Sequence, residues 1–341
     1  MEQVQGAEDE KLEAINTFIK SEGGDPTSYK GQLVGQLIDT ALKLMDEGYD
    51  IGQLKVITRS VKEMRYAYNI FNKYQDGPCV SIFGSARTPE DHPDYIAARN
   101  FSALMAKQGW MCITGAANGI MKAGLEGPTK AQSFGLSIRL PFESPTNTLI
   151  DGDPKLIFFR FFFTRKLMFM SHSDALAAFP GGFGTLDELF EMLTLIQTGK
   201  ANIIPIVLVE GENCDYWQQW RRYMNDNLLD NGWISPEDVN LYYLAPSPED
   251  AVAHILKFYF RYHSSRYVKD TLVIRMLSPI TEAQVEDLNK RFSDLVAEGK
   301  MSLSGPLPEE TDHLDLPRII FEHTRRDFGK LRLLIDAIND L

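Results

Sequence analysis

The stretch Ala175–Glu191, ALAAFPGGFGTLDELFE, constrains this chain more than any other. The apolar run Ala175 to Phe179 reads as a buried strand; Pro180 breaks it, Gly181, Gly182 and Gly184 turn the chain, and an amphipathic helix follows from Thr185. Glycines at such a turn let backbone come close to a ligand with its N–H groups facing outward. The helix start adds partial positive charge, so a phosphate is the natural guest. Asp187, Glu188 and Glu191 crowd carboxylates into the same helix, which a phosphate cradle alone does not need. Thr185 and Glu188 also fit a capping box, in which the acid would only complete the helix start. The triple-glycine turn tips the balance toward chemistry.

The rest of the chain supplies a frame for this element. A strand at Cys79–Phe83 runs into Gly84-Ser85-Ala86-Arg87, and a helix is expected at about Pro93–Gln108. A strand at Trp110–Thr114 runs into Gly115-Ala116-Ala117-Asn118-Gly119, with a helix from Ile120. Further strands are expected at Phe134–Leu140, which leads to Pro141-Phe142-Glu143, at Lys155–Phe162 and at Ile203–Val209. Thr164 is placed as the cap of a helix presenting Arg165 and Lys166, and helices are expected at Asp215–Asn227 and Pro248–Tyr262. Such alternation predicts an α/β fold, a Rossmann-like doubly wound parallel sheet whose ligands gather where strands end. It occupies residues 76–262. Residues 1–75 read as a helical arm broken at Gly23-Gly24-Asp25-Pro26, with Leu33, Leu37, Ile38, Ala41 and Leu44 forming an apolar stripe. Residues 263–341 read as a small α+β appendage whose first strand is expected at Leu272–Leu277.

The run Pro180-Gly181-Gly182-Phe183-Gly184-Thr185-Leu186-Asp187-Glu188 resembles the PGGxGTxxE signature of the LOG family, the cytokinin riboside 5′-monophosphate phosphoribohydrolases once labelled lysine decarboxylases. Arg165-Lys166 matches the Arg-Lys pair that the family carries ahead of the signature, at a matching separation from Glu188. The resemblance covers roughly Cys79 to Glu210 and departs at Ala116-Ala117-Asn118, where the usual run is closer to TGGGPG. It implies hydrolysis of a nucleoside 5′-monophosphate, AMP or a cytokinin-type ribotide, with no metal and no organic cofactor. Glu188 and Arg165 would be catalytic, and Gly181, Gly182, Gly184 and Thr185 would hold the 5′-phosphate. Gly84, Ser85, Arg87, Gly115, Gly119, Glu143 and Lys166 complete the candidate substrate-binding set. The resemblance also implies a homodimer or larger even assembly. Two alternatives remain: a carrier similar to molybdenum-cofactor carriers, which would not need Arg165 and Glu188 together, and a regulatory protein without turnover. A pyridoxal-phosphate decarboxylase is least supported, because Lys166 follows no cofactor-binding pattern.

The 341 residues carry a formal net charge of −12, which argues against a general grip on nucleic acid and means that any phosphate is attracted locally. Cys79, Cys112 and Cys214 lack metal-ligand spacing, and the histidines form no HExxH-like pattern. Neither a signal peptide nor a membrane span is expected, so the protein is read as cytoplasmic.

Overall fold

The computed structural model describes residues 2–139 and 148–341, and its amino-terminal segment is helical: α1 (Glu2–Ser21), α2 (Tyr29–Asp46) and α3 (Ile51–Tyr74). The break after α1 falls at the predicted turn residues. Asp25 Oδ1 accepts from the amide and hydroxyl of Thr27, and Ser28 caps α2 by accepting from the Gly31 amide at 3.1 Å. The expected stripe of α2 is not the face that packs. Leu33, Leu37 and Ala41 are exposed, whereas Gly31 and Gly35 are buried. A Cβ on Gly31 would lie 2.0 Å from the Asp25 carbonyl oxygen, and one on Gly35 would lie 3.6 Å from the Ile19 side chain. The chain backbone comes nearest where no side chain intervenes, so glycines displace leucines from the contact. The chain divides into two compact units, with the boundary after Arg65, inside α3.

The second unit holds a sheet of seven strands built from β1 (Cys79–Phe83), α4 (Pro93–Lys107), β2 (Met111–Thr114), α5 (Ile120–Glu126), β3 (Ser133–Ile138), β4 (Leu156–Phe159), α6 (Phe162–His172), β5 (Ala175–Ala178), α7 (Phe183–Gln197), β6 (Ile206–Val209), α8 (Tyr216–Tyr223), β7 (Tyr243–Ala245) and α9 (Pro248–Phe258). Every neighbouring pair is parallel, in the order β4-β3-β2-β1-β5-β6-β7. β1, β2, β5 and β6 are buried at every residue, as strands covered on both faces must be, which is why they read as unbroken apolar runs. Strand order reverses between β1 and β5, and a crevice opens at their carboxyl ends. The predicted strand Lys155–Phe162 is corrected here: β4 ends at Phe159 and α6 begins at Phe162. Phe161 occupies the N-cap position, and Thr164 lies inside the first turn, its hydroxyl donating to the Phe161 carbonyl at 3.0 Å. An aromatic run carries no signal that separates a strand's end from a helix's beginning.

The carboxyl-terminal part of the same unit forms an antiparallel sheet from β8 (Tyr262–Val268), β9 (Thr271–Met276), α10 (Glu282–Arg291), β10 (Val296–Ser304), β11 (Arg318–His323) and α11 (Phe328–Asn339), in the order β10-β11-β9-β8. The helix expected to reach Tyr262 stops at Phe258, and β8 starts at Tyr262. Asn339 enforces this stop: its Oδ1 accepts from the amides of Arg261 and Tyr262, and its Nδ2 donates to the Phe258 carbonyl at 2.7 Å.

An ion network crosses the interior of this second sheet. Glu310 accepts from Arg275 through Oε1 at 2.7 Å and from Arg318 through Oε2 at 2.9 Å, and all three side chains are buried. Burial alone would raise the pKa of Glu310, but the Leu307 amide and the two guanidiniums hold it below the usual carboxylate range. Removing the charge leaves the buried Arg318 without an acidic partner and Arg275 with only the half-exposed Asp312. Glu310→Gln is therefore expected to lower unfolding free energy by about 3–5 kcal/mol at neutral pH. A folded-state pKa below the unfolded one gives stability that is present at neutral pH and lost as pH falls through it. Urea titrations of the two proteins should accordingly converge in acid, and equal midpoints at pH 7 would contradict the assignment.

Candidate active site

Three turns meet at the switch point because one residue links them. The Ser85 amide donates to the Pro180 carbonyl at 3.1 Å, and the Ser85 carbonyl accepts from the Ile120 amide at 3.0 Å. The turns after β1, β2 and β5 are thereby joined through backbone alone. The glycines divide into two kinds. A Cβ on Gly84 would lie 2.6 Å from Ile120, one on Gly119 would lie 2.2 Å from the Ser85 carbonyl oxygen, and one on Gly181 would lie 2.1 Å from the Thr185 hydroxyl. These three permit close packing of the turns. Gly182 and Gly184 have no atom within 4 Å of such a position. They are exposed and leave their backbone open to a ligand.

α7 starts earlier than the sequence predicts. Gly182 is the N-cap, Phe183 the first helical residue, and no side chain caps the helix. The Thr185 and Leu186 amides both donate to the Gly182 carbonyl, so the Phe183 and Gly184 amides have no acceptor within the helix. The capping box between Thr185 and Glu188 does not form, which removes the purely structural role weighed for Glu188. Thr185 is instead buried beneath Gly181.

Glu188 is buried, and its Oε2 has no hydrogen-bond partner among the described residues. Burial pushes its pKa up to about 7, against the pull of Lys166 and Arg165 and with the help of Glu191 and Asp187. Lys166 is an ion-pair partner of Glu191 and of Asp187, the latter at 2.9 Å, and these two acids raise its pKa although burial opposes them. The ammonium thus balances the flanking acids and leaves Glu188 to the crevice. Arg165 lies 5.4 Å from the Phe169 ring centroid, and its Nη2 stands 2.9 Å from where a Cβ on Gly115 would be. Gly115 therefore leaves room for the guanidinium beside the β2 turn. Glu188 and Arg165 arrive on different helices, each within the first two turns past the carboxyl edge of the sheet.

Ala116 takes a left-handed φ of 57°, its amide donating to the Thr114 hydroxyl at 3.1 Å. For a non-glycine residue this conformation costs about 1–2 kcal/mol, offset by a methyl packed beside Leu125, Ile150 and Leu156. The loop thus keeps a glycine-like turn where its sequence departs from the family run. The Arg87 side chain is exposed, and its amide donates to the Ser85 hydroxyl. Glu143 lies outside the described residues. Two participants escaped sequence reasoning. Tyr216 donates its hydroxyl to the Gly181 carbonyl at 2.7 Å and fixes the turn from α8. Phe183 is 94% exposed at the rim. Tyr216 stands in a helix whose tryptophans signalled only packing; Trp217 and Trp220 are indeed buried. Among the described residues no group of three or more His, Cys, Asp or Glu is placed to hold a metal ion, and no helix is long and apolar enough to cross a membrane.

Residues 106–255 match a family described as "Possible lysine decarboxylase". A cytokinin riboside 5′-monophosphate phosphoribohydrolase of Arabidopsis thaliana is 36% identical over 26% of this chain and 39% of its own length. The phosphoribohydrolase of the same description from Mycobacterium tuberculosis is 29% identical over 46% of this chain and 81% of its own. The match to the plant relatives thus spans about two fifths of their length. Among solved structures, the molybdenum cofactor carrier protein of Chlamydomonas reinhardtii is 20% identical, covering 53% of this chain and 96% of that one with a TM-score of 0.38. The family match and the named relatives agree with the signature at Pro180–Glu188 and support the resemblance to the LOG family over this part of the chain.

Proposed function

We propose that this protein hydrolyses the N-glycosidic bond of a nucleoside 5′-monophosphate, AMP or a related ribotide, to give free base and ribose 5-phosphate. The observation that carries the reading is Glu188: a buried carboxylate with a raised pKa and an unsatisfied oxygen, beside an open glycine turn and a guanidinium. In such a reaction the bond between C1′ and the base nitrogen breaks, positive charge builds on the ribose, and water adds at C1′. Glu188 takes the proton of that water or stabilises the ribosyl cation. The open amides at Phe183 and Gly184 hold the 5′-phosphate, so binding energy remote from C1′ orients the sugar. Arg165 orients the substrate and assists departure of the base. Tyr216 acts as a positioning residue by holding the Gly181 carbonyl away from the phosphate.

The assembly proposed with this activity is a homodimer or larger even oligomer. Phe162, Phe163 and Leu167 of α6 and Phe183 at the start of α7 are exposed large apolar side chains close to the crevice, and two-fold pairing is the commonest way to cover such a surface. Light scattering at micromolar concentration should report at least twice the 38.6 kDa of one chain. A fully active monomer would refute this.

Glu188→Gln should lower turnover by about 10² or more, because the amide keeps the shape but neither accepts the proton nor carries charge. The same variant should be more stable than the parent at pH 8, by an amount on the order of 2 kcal/mol, and nearly equal to it at about pH 4, below the ordinary pKa of 4.5. The sign follows from the raised pKa: the folded state favours the protonated acid, so stability falls as pH rises toward and through about 7. Near-normal turnover with no stability gain would remove Glu188 from the mechanism. Adenosine should be hydrolysed on the order of 10²-fold less efficiently than AMP, since it lacks the group held by the glycine turn. Free base measured by chromatography decides this, and equal rates would sink the phosphate assignment.

A further inference from the structure

A second hollow in this unit lies apart from the crevice of the three turns. It has a volume of about 780 Å³ and lies between the two sheets. One wall comes from the last turns of α6 and α7 and from the residues that precede β5 and β6, among them Asp174, Lys200 and Ile203; the other comes from β8 and α11. Strands β5 and β6 start at this cavity and end at the crevice, so the two hollows occupy opposite ends of the parallel sheet. Ligands of such sheets ordinarily gather at the carboxyl ends, and the cavity is therefore no extension of the nucleotide crevice.

Two contacts hold its walls together. The Tyr259 hydroxyl donates to the Asp174 carbonyl at 2.7 Å, and Phe328 of α11 lies against Gly199, where a Cβ would be 2.2 Å from the ring. Gly199 has a φ of +67°, so glycine serves both the turn and the contact. The hollow is thus built into the packing of the second sheet on the first. Its lining has a further regularity: six consecutive residues, Tyr262 to Tyr267, face it. Side chains of a strand alternate between faces, so an unbroken run can line one cavity only along the strand's edge. β8 is the outermost strand of its sheet and its outer edge has no partner strand. That edge offers backbone donors and acceptors, and the Ser264 and Ser265 hydroxyls, hydrogen-bonded to His263 Nδ1 and to the Tyr262 hydroxyl, retain capacity for a further bond.

The charged groups differ in their availability. The Arg266 guanidinium pairs with Asp312 at 3.0 Å, and Asp174 accepts from the Cys79 amide at 2.8 Å. Lys200 is exposed and makes no ion pair among the described residues, while Met192, Leu195 and Leu331 supply apolar surface. A hollow of this size, in which apolar surface and convergent polar groups share the lining, has the form of a small-molecule site. In a chain of net charge −12 the unpaired lysine favours an anion.

We propose that this cavity binds a compact organic anion with an apolar or aromatic body, and that its occupancy is coupled to the crevice through α6 and α7. Each of these helices has a residue of the candidate catalytic pair near its start, Arg165 and Glu188, and lines the cavity near its end, with Met170 and Leu195. They span about 16 and 22 Å at 1.5 Å per residue, and a shift at one end of a helix is carried to the other. The coupling rests on the hydrolase reading; the binding site does not.

The test uses the full chain and anilinonaphthalene sulfonate, an aromatic anion whose fluorescence reports burial. A saturable titration is expected, weakened about tenfold or more both by Lys200→Glu, which reverses the cation, and by Ser265→Trp, which fills the hollow. Phe183→Ala should leave it unchanged. Loss of signal in Phe183→Ala with both cavity variants unaffected would overturn the site. Thermal melting of each variant guards against misfolding, and a melted Ser265→Trp leaves the decision to Lys200→Glu. At saturating probe, the KM or kcat for AMP should move at least twofold in the parent and not in Lys200→Glu. Binding in the cavity with both constants unchanged would overturn the coupling. Cavity binding in a protein that releases no base from any nucleoside monophosphate would support the site while refuting the hydrolase reading.

Discussion

The crevice depends on the backbone of a single residue. Ser85 gives its amide to the β5 turn and its carbonyl to the start of α5, so three strand ends that arrive separately in the sequence share one hydrogen-bonded edge. This requires backbones to approach within hydrogen-bonding distance, and side chains at Gly84, Gly119 and Gly181 would prevent it. The glycines closest to the junction are therefore packing devices. Those one step removed, Gly182 and Gly184, are left open on the crevice side, and the Tyr216 hydroxyl holds the Gly181 carbonyl between the two kinds.

That frame carries a group the fold would be more stable without. A carboxylate buried like Glu188 loses its hydration, and the neighbouring cations do not restore it, because Lys166 is committed to Asp187 and Glu191. The contrast with Glu310 is instructive. Both acids are buried, yet Glu310 is held ionised by two guanidiniums and an amide, while Glu188 retains an unsatisfied oxygen. The first arrangement serves the fold, and the second leaves an acid poised near neutrality, as proton transfer requires.

Much of this was legible from residue order because the parallel sheet writes itself plainly. Strands buried on both faces are short apolar runs, and glycines follow the ones that end at the site. β1, β2 and β5 and their turns were placed on that signal. What escaped depended on information that local pattern does not hold. The starts of α6 and α7 were displaced because Thr164 and Thr185 look like caps, yet Phe161 and Gly182 take those positions. β8, with the sequence YHSSRYV, has neither alternation nor an apolar run, and Asn339, far along the chain, ends the preceding helix and starts the strand. The face of α2 was misread because glycines carry no hydrophobic signal, although they allow the closest approach.

The misread strand has the larger consequence. Had α9 continued to Tyr262, the second sheet would have had one strand fewer and no polar edge facing the amino ends of β5 and β6. The stop imposed by Asn339 turns the chain into an edge strand with no partner strand on its outer side, and Tyr259 and Phe328 fix that strand's sheet against the first. α6 and α7 are then bounded at both ends by hollows, one made by the glycine turns and one by the appended sheet. In a close-packed interior such helices move as units, so under the proposed coupling a molecule that displaces their last turns also displaces Arg165 and Glu188. The appended sheet thereby does more than cover apolar surface: it gives the far ends of α6 and α7 an environment of their own.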